Sequence, residues 1–485
     1  MAKSLKKNAL LNTIKTLCQV IFPIITIPYI SRTLGTDSYG KVNFTASIIG
    51  YFALFAAFGI TNYATREGAR IRDHKSDLKK LTNELYAVNI FTSVISIVVL
   101  LLVVFAFHFN YDYKLLLIVQ GAAIIFTALG ADWVCSIFED YTYIAVRYII
   151  FQILSLILLF IFVKTSDDFV VYAAILTIAS SGANLLNVFY IRKYVKLRPT
   201  FTRGCLKHIK PMLILLGFSF AMTIYIHSGT TLLGIYKDDY DVGIYSLAAK
   251  IYLVIKQVLN AGIIVTLPRI ASILGREDKN EYKSLLTKVF NFLILLVFPS
   301  IVGIFMLSGD IIYLAGGDKY MLASFPLQIL SVSLAFAVFG CFFANCFLLP
   351  NKRDKDMLYA TIVGCCVNVL FNLVLIPYCS YIGTSIATLV AEFFVCWLCY
   401  WKSRQIGELN INIRNAISVI IGGGVIILIC HLSSLFISNI LMRVFVAVTG
   451  SILLYFASLV LFRNSFVMEY LYKIMSYFRT NKFSS

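Results

Sequence analysis

The chain has 485 residues, 60% of them hydrophobic and only 14% charged, where a soluble domain would carry roughly 25% charged. Its apolar residues come in blocks of about 20, enough to cross a roughly 30 Å hydrocarbon core as helix, which excludes a soluble enzyme. The net charge of +18 does not point to nucleic acid, because the basic residues are spread over many short connecting segments, where membrane orientation and anionic lipid account for them.

Fourteen spans are predicted, near 8–31, 42–63, 85–107, 114–135, 143–163, 169–190, 211–235, 242–265, 288–307, 323–349, 357–377, 381–401, 415–432 and 439–462. The fold class expected is an all-α polytopic membrane protein. The first span carries Asn8, Asn12, Lys15, Gln19 and Thr26 on one helical face, and a polar stripe belongs toward a bundle interior or a water-filled cavity. Lys15 is about seven residues, roughly 10 Å, from the nearer end of the helix. Its stem could therefore snorkel to the headgroups, so Lys15 alone leaves anchoring and function equally open. Pro23 and Pro28 follow in the same span, and each removes a backbone donor.

The second span ends in Arg66, which reads as a topological anchor or as part of a basic vestibule. The fourth contains Asp132. Between the sixth and seventh lies the strongest break, "IRKYVKLRPTFTRGCLKHIKP", with seven basic residues and two prolines. His227 in span 7 is either a hydrogen-bonded core histidine or a cavity residue. Span 8 holds Lys250, far from either surface, and Lys256 in a stripe with Tyr245, Ala249, Tyr252 and Asn260; it ends at Arg269. Span 12 contains Glu392. Asp132 and Glu392 could pair with the intramembrane lysines or couple to an ion, but two acids cannot neutralise three lysines. A surplus of intramembrane cations points to an anionic ligand. Beyond the last span, Val467, Tyr470, Leu471, Ile474, Met475 and Phe478 share one helical face, as in an interfacial helix or a partly ordered tail.

Placing the N-terminus in the cytoplasm puts 32 of the 42 Lys and Arg on that side, and the outer loops then hold more acids than bases. This is the positive-inside pattern; fourteen spans return the C-terminus to the same side. Sliding the chain on itself by 203 residues superposes Gly40 on Gly243, Ala46 on Ala249, Ile48 on Ile251, Gly59 on Gly262, Ile60 on Ile263 and Arg66 on Arg269. The offset equates span 2 with span 8, so spans 1–6 repeat as 7–12 in parallel, a recurrent transporter design with substrate bound between halves. The expected organisation is a six-helix bundle over 1–190, a basic linker over 191–210 and a second six-helix bundle over 211–401. Two further helices and a tail occupy 402–485. The eleven cysteines read as small buried apolar residues. No nucleophile-and-base set, phosphate-cradling loop or metal-ligand cluster is evident, so no enzyme, cofactor or metal is expected.

The stretch "ISRTLGTDSYGKVNFTASIIGYFALFAAFGITNYATREGARIRD" resembles the opening of the Wzx-type polysaccharide flippases. These belong to the multidrug/oligosaccharidyl-lipid/polysaccharide exporter superfamily, which includes the MATE-like fold. The pattern falls on Arg32, Leu34, Gly35, Tyr39, Gly40, Tyr51, Ala64, Arg66 and Glu67. The resemblance implies two bundles exposing a cavity alternately to each side of a bacterial cytoplasmic membrane. Its implied substrate is an undecaprenyl-pyrophosphate-linked oligosaccharide bound for O-antigen, capsule or exopolysaccharide. On that reading Lys15, Lys250 and Lys256 would meet the pyrophosphate as point charges, with Asn12, Gln19, Tyr252, Asn260 and His227 toward the sugars. Arg32, Arg66 and Arg269 are vestibule or gating candidates. Asp132 and Glu392 are candidates for coupling to H+ or Na+, and polymerase or glycosyltransferases are candidate partners. The alternatives are a multidrug cation antiporter of the same fold, a peptidoglycan-precursor flippase and, as a different class, a polytopic polymerase or ligase.

Overall fold

The computed structural model describes residues 5–276, 278–407, 409, 413–469 and 471–472. Among these the regular structure is helical throughout. Among the described residues twelve helical stretches are long and apolar enough to cross a membrane. Two of them, Leu17–Arg70 and Asp354–Ser403, run 54 and 50 residues, more than twice the ~20 a bilayer requires. Each is two predicted spans in series. Helix α1 (Leu5–Ala57) breaks at Gly35, whose φ of 73° lies where only glycine is unstrained. The second long stretch breaks at Ser380, φ 47°. Dividing both there gives the fourteen spans predicted, and the chain is an all-α polytopic membrane protein.

The chain divides into two compact units, Met1–Ser246 and Leu247–Ser485. After α1 the first unit continues with α2 (Ile60–Arg70), α3 (Lys75–Ala106), α4 (Tyr111–Gly130), α5 (Trp133–Ile137), α6 (Tyr141–Phe162), α7 (Phe169–Thr177), α8 (Asn184–Tyr190) and α9 (Gly204–Tyr236). It ends inside α10 (Asp239–Gly275). The second unit continues with α11 (Lys279–Gly316), α12 (Ser324–Phe342), α13 (Asp354–Ser403), α14 (Ile413–Phe436) and α15 (Ile440–Leu461). In the first unit α1 packs on α3, α4, α6 and α9; in the second α11 lies on α12 and α14, and α13 on α12. Large apolar side chains such as Phe105, Phe189, Leu453 and Phe445 remain exposed. Lipid, as apolar as leucine, gives them no reason to be covered. Of the tail face predicted beyond the last span, Val467 and Leu471 pack with the α11, α14 and α15 core; Tyr470 and residues from 473 on lie outside the described residues.

The basic segment 191–210, expected to be a linker, lies within the first unit, where two buried carboxylates hold it and its neighbours. Asp140, 2% exposed, accepts from Tyr190 Oη at 2.7 Å, Tyr194 Oη at 2.6 Å and Lys193 Nζ at 3.1 Å. Tyr143 stacks on Tyr190 and Phe138 on Tyr194. Burial and the hydrogen bond to Asp140 push the Tyr194 hydroxyl up to about 12, so it stays a donor. Further along, Glu84 accepts from Thr202 Oγ1 at 2.8 Å and meets His208 Nε2 at 3.1 Å; Nδ1 of that ring meets Tyr63 Oη at 2.8 Å. Helix α9 starts at Gly204, so the linker's last residues are already helical and Pro211 lies inside α9.

Removing the Asp140 carboxylate by Asp140→Ala leaves two tyrosine hydroxyls without their acceptor. Hydrogen bonds to a charged group contribute about 1.5–3 kcal/mol each. Local opening of the linker should therefore become at least tenfold more frequent, about 1.4 kcal/mol. Tryptic cleavage between Arg192 and Arg203 would accelerate by that factor; an unchanged rate would show that Asp140 does not hold the linker.

Candidate functional site

In the first unit Lys15 lies half-buried on α1, its Nζ 5.7 Å from the centroid of the Tyr148 ring on α6. That distance is within cation–π range. Gln19, one turn on, is exposed, and the side chain of Asn12 lies outside the described residues. Pro23 and Pro28 are carried inside the helix; the non-helical dihedrals fall at Gly35.

His227, on α9, faces α1. Its ring lies edge-on to Tyr51 at 6.1 Å. It occupies the space left by Gly50, where a Cβ would stand 2.8 Å from Nε2. One turn on, Thr231 Oγ1 lies 3.0 Å from the His227 carbonyl, 3.3 Å from Tyr51 Oη and 2.8 Å from Ser47 Oγ. The result is a small polar seam between α1 and α9.

Asp132 is held by Arg147, a residue not among the sequence candidates. Arg147, 7% exposed, donates Nη2 to Asp132 Oδ1 at 2.8 Å and Nη1 to Asn187. Asn187 Nδ2 also donates to Asp132 at 3.1 Å. Arg147 stands five residues into the predicted fifth span, and that depth was the available signal.

In the second unit the predicted stripe on α10 is present. Tyr252, Lys256 and Asn260 follow at i, i+4 and i+8, the spacing that stacks side chains on one face. Tyr252 Oη donates to Glu392 Oε1 at 3.1 Å and Lys256 Nζ to the same oxygen at 2.5 Å. Glu392 is 6% exposed and Lys256 23%; the ammonium also lies 5.5 Å from the centroid of the Tyr252 ring. Of the two roles open to Lys256, the observed geometry is the ion pair. Asn260 Oδ1 is buried without a hydrogen-bond partner. Lys250 is half-buried, and its six-residue separation from Lys256 puts it on a different face of α10.

The three arginines are exposed. Arg66 pairs with Glu67 at 3.0 Å and Arg269 with Glu281 at 3.5 Å. Such surface pairs contribute little. Arg32 sits three residues before the Gly35 break. Both span acids are thus engaged by cations; Lys15 and Lys250 are half-buried within predicted spans.

The chain is 22% identical over 398 residues to a Shigella dysenteriae protein named for O-antigen transport, covering 81% of this chain and 98% of the relative. Its fold matches the lipid II flippase MurJ in an inward closed conformation, with a TM-score of 0.73 over 94% of this chain and 99% of that one at 16% identity. It also matches an inward-facing multidrug resistance MATE transporter, with a TM-score of 0.60 over 81% and 94% at 18% identity. At these identities the likeness is one of fold. The model of the polysaccharide biosynthesis protein family matches residues 5–274, more than half of the chain, and the chain belongs to that family.

Proposed function

We propose that the protein is a flippase that moves an undecaprenyl-pyrophosphate-linked oligosaccharide from the inner to the outer leaflet of a bacterial cytoplasmic membrane. It would work by alternating access, with both termini in the cytoplasm. The observation that carries this reading is the family match, which spans the first eight predicted spans. The O-antigen relative and the shared flippase fold support it. The chemistry agrees: a lysine within a span costs about 2.5–3.5 kcal/mol on insertion scales, and Lys15 and Lys250 are the cations proposed to meet an anionic pyrophosphate. Asn12, Gln19, Asn260 and His227 are the polar groups proposed for the sugars. The coupling ion, H+ or Na+, would meet Glu392 in competition with Lys256 and Asp132 in competition with Arg147.

A cation antiporter of the same fold is the second reading. Its cation would meet the same competition from Arg147 at Asp132 and from Lys256 at Glu392, so the two readings are separated by what is exported. Deleting the gene in its own host should abolish surface polysaccharide and accumulate the lipid-linked oligosaccharide, and the intact gene should restore export. Normal surface polysaccharide together with new sensitivity to cationic dyes would replace the flippase with the antiporter.

A further inference from the structure

The 203-residue repeat has a geometric consequence at the start of spans 2 and 8. The first turns after the Gly35 break and the first turn of α10 meet backbone to backbone within the first unit. A Cβ on Gly40 would stand 2.8 Å from the carbonyl carbon of Asp239, and closer still to its oxygen. A Cβ on Gly243 would stand 2.9 Å from the carbonyl carbon of Thr36, again closer to the oxygen. Gly40 and Gly243 are repeat equivalents, and so are Thr36 and Asp239: both pairs are separated by the same 203 residues. Each glycine therefore packs on the residue that corresponds to the one four positions before itself in the other copy. Such reciprocity is the mark of a contact about a two-fold axis, and parallel transporter repeats have such an axis along the membrane normal.

The contact is buried and braced. Gly40, Gly243 and Thr36 are buried. Tyr113, on the first turn of α4, donates its hydroxyl to Asp239, and beside it Lys41 pairs with Asp112 at 2.7 Å. No side chain larger than hydrogen fits at either glycine without parting the two backbones, which is how small residues set helix approach in membranes.

We propose that Gly40 and Gly243 are paired gate positions. Their reciprocal contact closes the end that positive-inside charge assigns to the outer face, and the transport cycle must open it. This rests on the flippase reading for the cycle, but not for the closed contact itself. Adding a side chain at either glycine should hold that end open, and the two substitutions should behave alike although they stand in different copies of the repeat.

The test uses the full chain with the exposed Cys366 and Cys379 replaced by serine. A cysteine at buried Thr36 (Thr36→Cys) is labelled with a maleimide on purified protein in detergent. Labelling should rise at least tenfold when Gly40→Val or Gly243→Val is added, and it should not change with Gly217→Ala, where a Cβ meets nothing within 4 Å. Equal rates in all backgrounds would overturn the proposal, and this readout needs no substrate. Should the valine variants fail to fold, Tyr113→Cys with Asp239→Cys can be bridged by a short reducible bis-thiol reagent in cells. Export should stop on bridging and return on reduction. Export that continues through the bridge would also overturn the gate, whereas an unbridged chain that never restores surface polysaccharide would instead sink the flippase reading.

Discussion

Replacing Lys256 by methionine is expected to cost about 3–5 kcal/mol of stability, the usual penalty for removing one partner of a buried ion pair. The loss follows from an asymmetry in burial. Glu392 is 6% exposed, against 23% for Lys256, so the carboxylate is the charge left stranded, beside the Tyr252 hydroxyl at 3.1 Å. The converse change, Glu392→Leu, should cost less, because the longer and more exposed ammonium can turn toward water. The double variant Lys256→Met with Glu392→Leu should recover most of the loss, since apolar replacement of a whole buried pair is often neutral or stabilising. Thermal unfolding of the four purified proteins closes the cycle. Additive losses would mean that the 2.5 Å contact contributes no coupling.

That pair also shows where sequence reasoning stopped. The spans were legible because a bilayer demands about 20 apolar residues in a row, a local property that survives without knowledge of tertiary contacts. The stripe Tyr252, Lys256 and Asn260 was legible for the same reason. Its partner was not, because Glu392 lies 136 residues away and no spacing rule selects it over Asp132. Arg147 escaped notice because a basic residue near a span end reads as a positive-inside charge; its partners Asp132 and Asn187 come from distant segments, and it is 7% exposed. The linker was legible as a charged break between the halves, yet its anchorage was not. Asp140 and Glu84 looked like ordinary charges flanking spans, and only the fold buries them at 2% exposure.

The repeat was legible as a pattern of identities but not as a structure. Gly40 and Gly243 keep the same environment in both copies, whereas Gly59 and Gly262 do not. The first copy breaks at Phe58 and Gly59, with φ of 46° and 70°. In the second copy α10 runs unbroken past Gly262 and Pro268 to Gly275. Identity therefore persists where two backbones touch and loses its meaning where each copy meets different neighbours. The two ends of these spans consequently differ in kind: one is held by a symmetric contact, the other is shaped separately in each copy.

Lys15→Met and Lys250→Met should each reduce export at least tenfold while the protein still folds and reaches the membrane, and the pair of changes together should approach complete loss. The reason lies in what each alternative demands of the charge. A lysine that merely snorkels is tolerated at a cost of about 2.5–3.5 kcal/mol, so methionine, unbranched and apolar, would be neutral or stabilising and export would continue. A lysine that meets pyrophosphate contributes a charge–charge attraction of about 4 kcal/mol at contact distance and an effective dielectric of 20, and its removal weakens substrate binding without loosening the helix. Arginine separates the two further. It keeps the charge, so Lys15→Arg and Lys250→Arg should retain most export although they bring a bulkier head group into the span. The half-buried position of Lys15 beside Tyr148 suits this role, because a ring face steadies an ammonium without neutralising it. Surface polysaccharide measured against membrane protein level, with thermal unfolding alongside, decides the matter. Normal export in both methionine variants would remove these lysines from the transport mechanism and leave them as anchors.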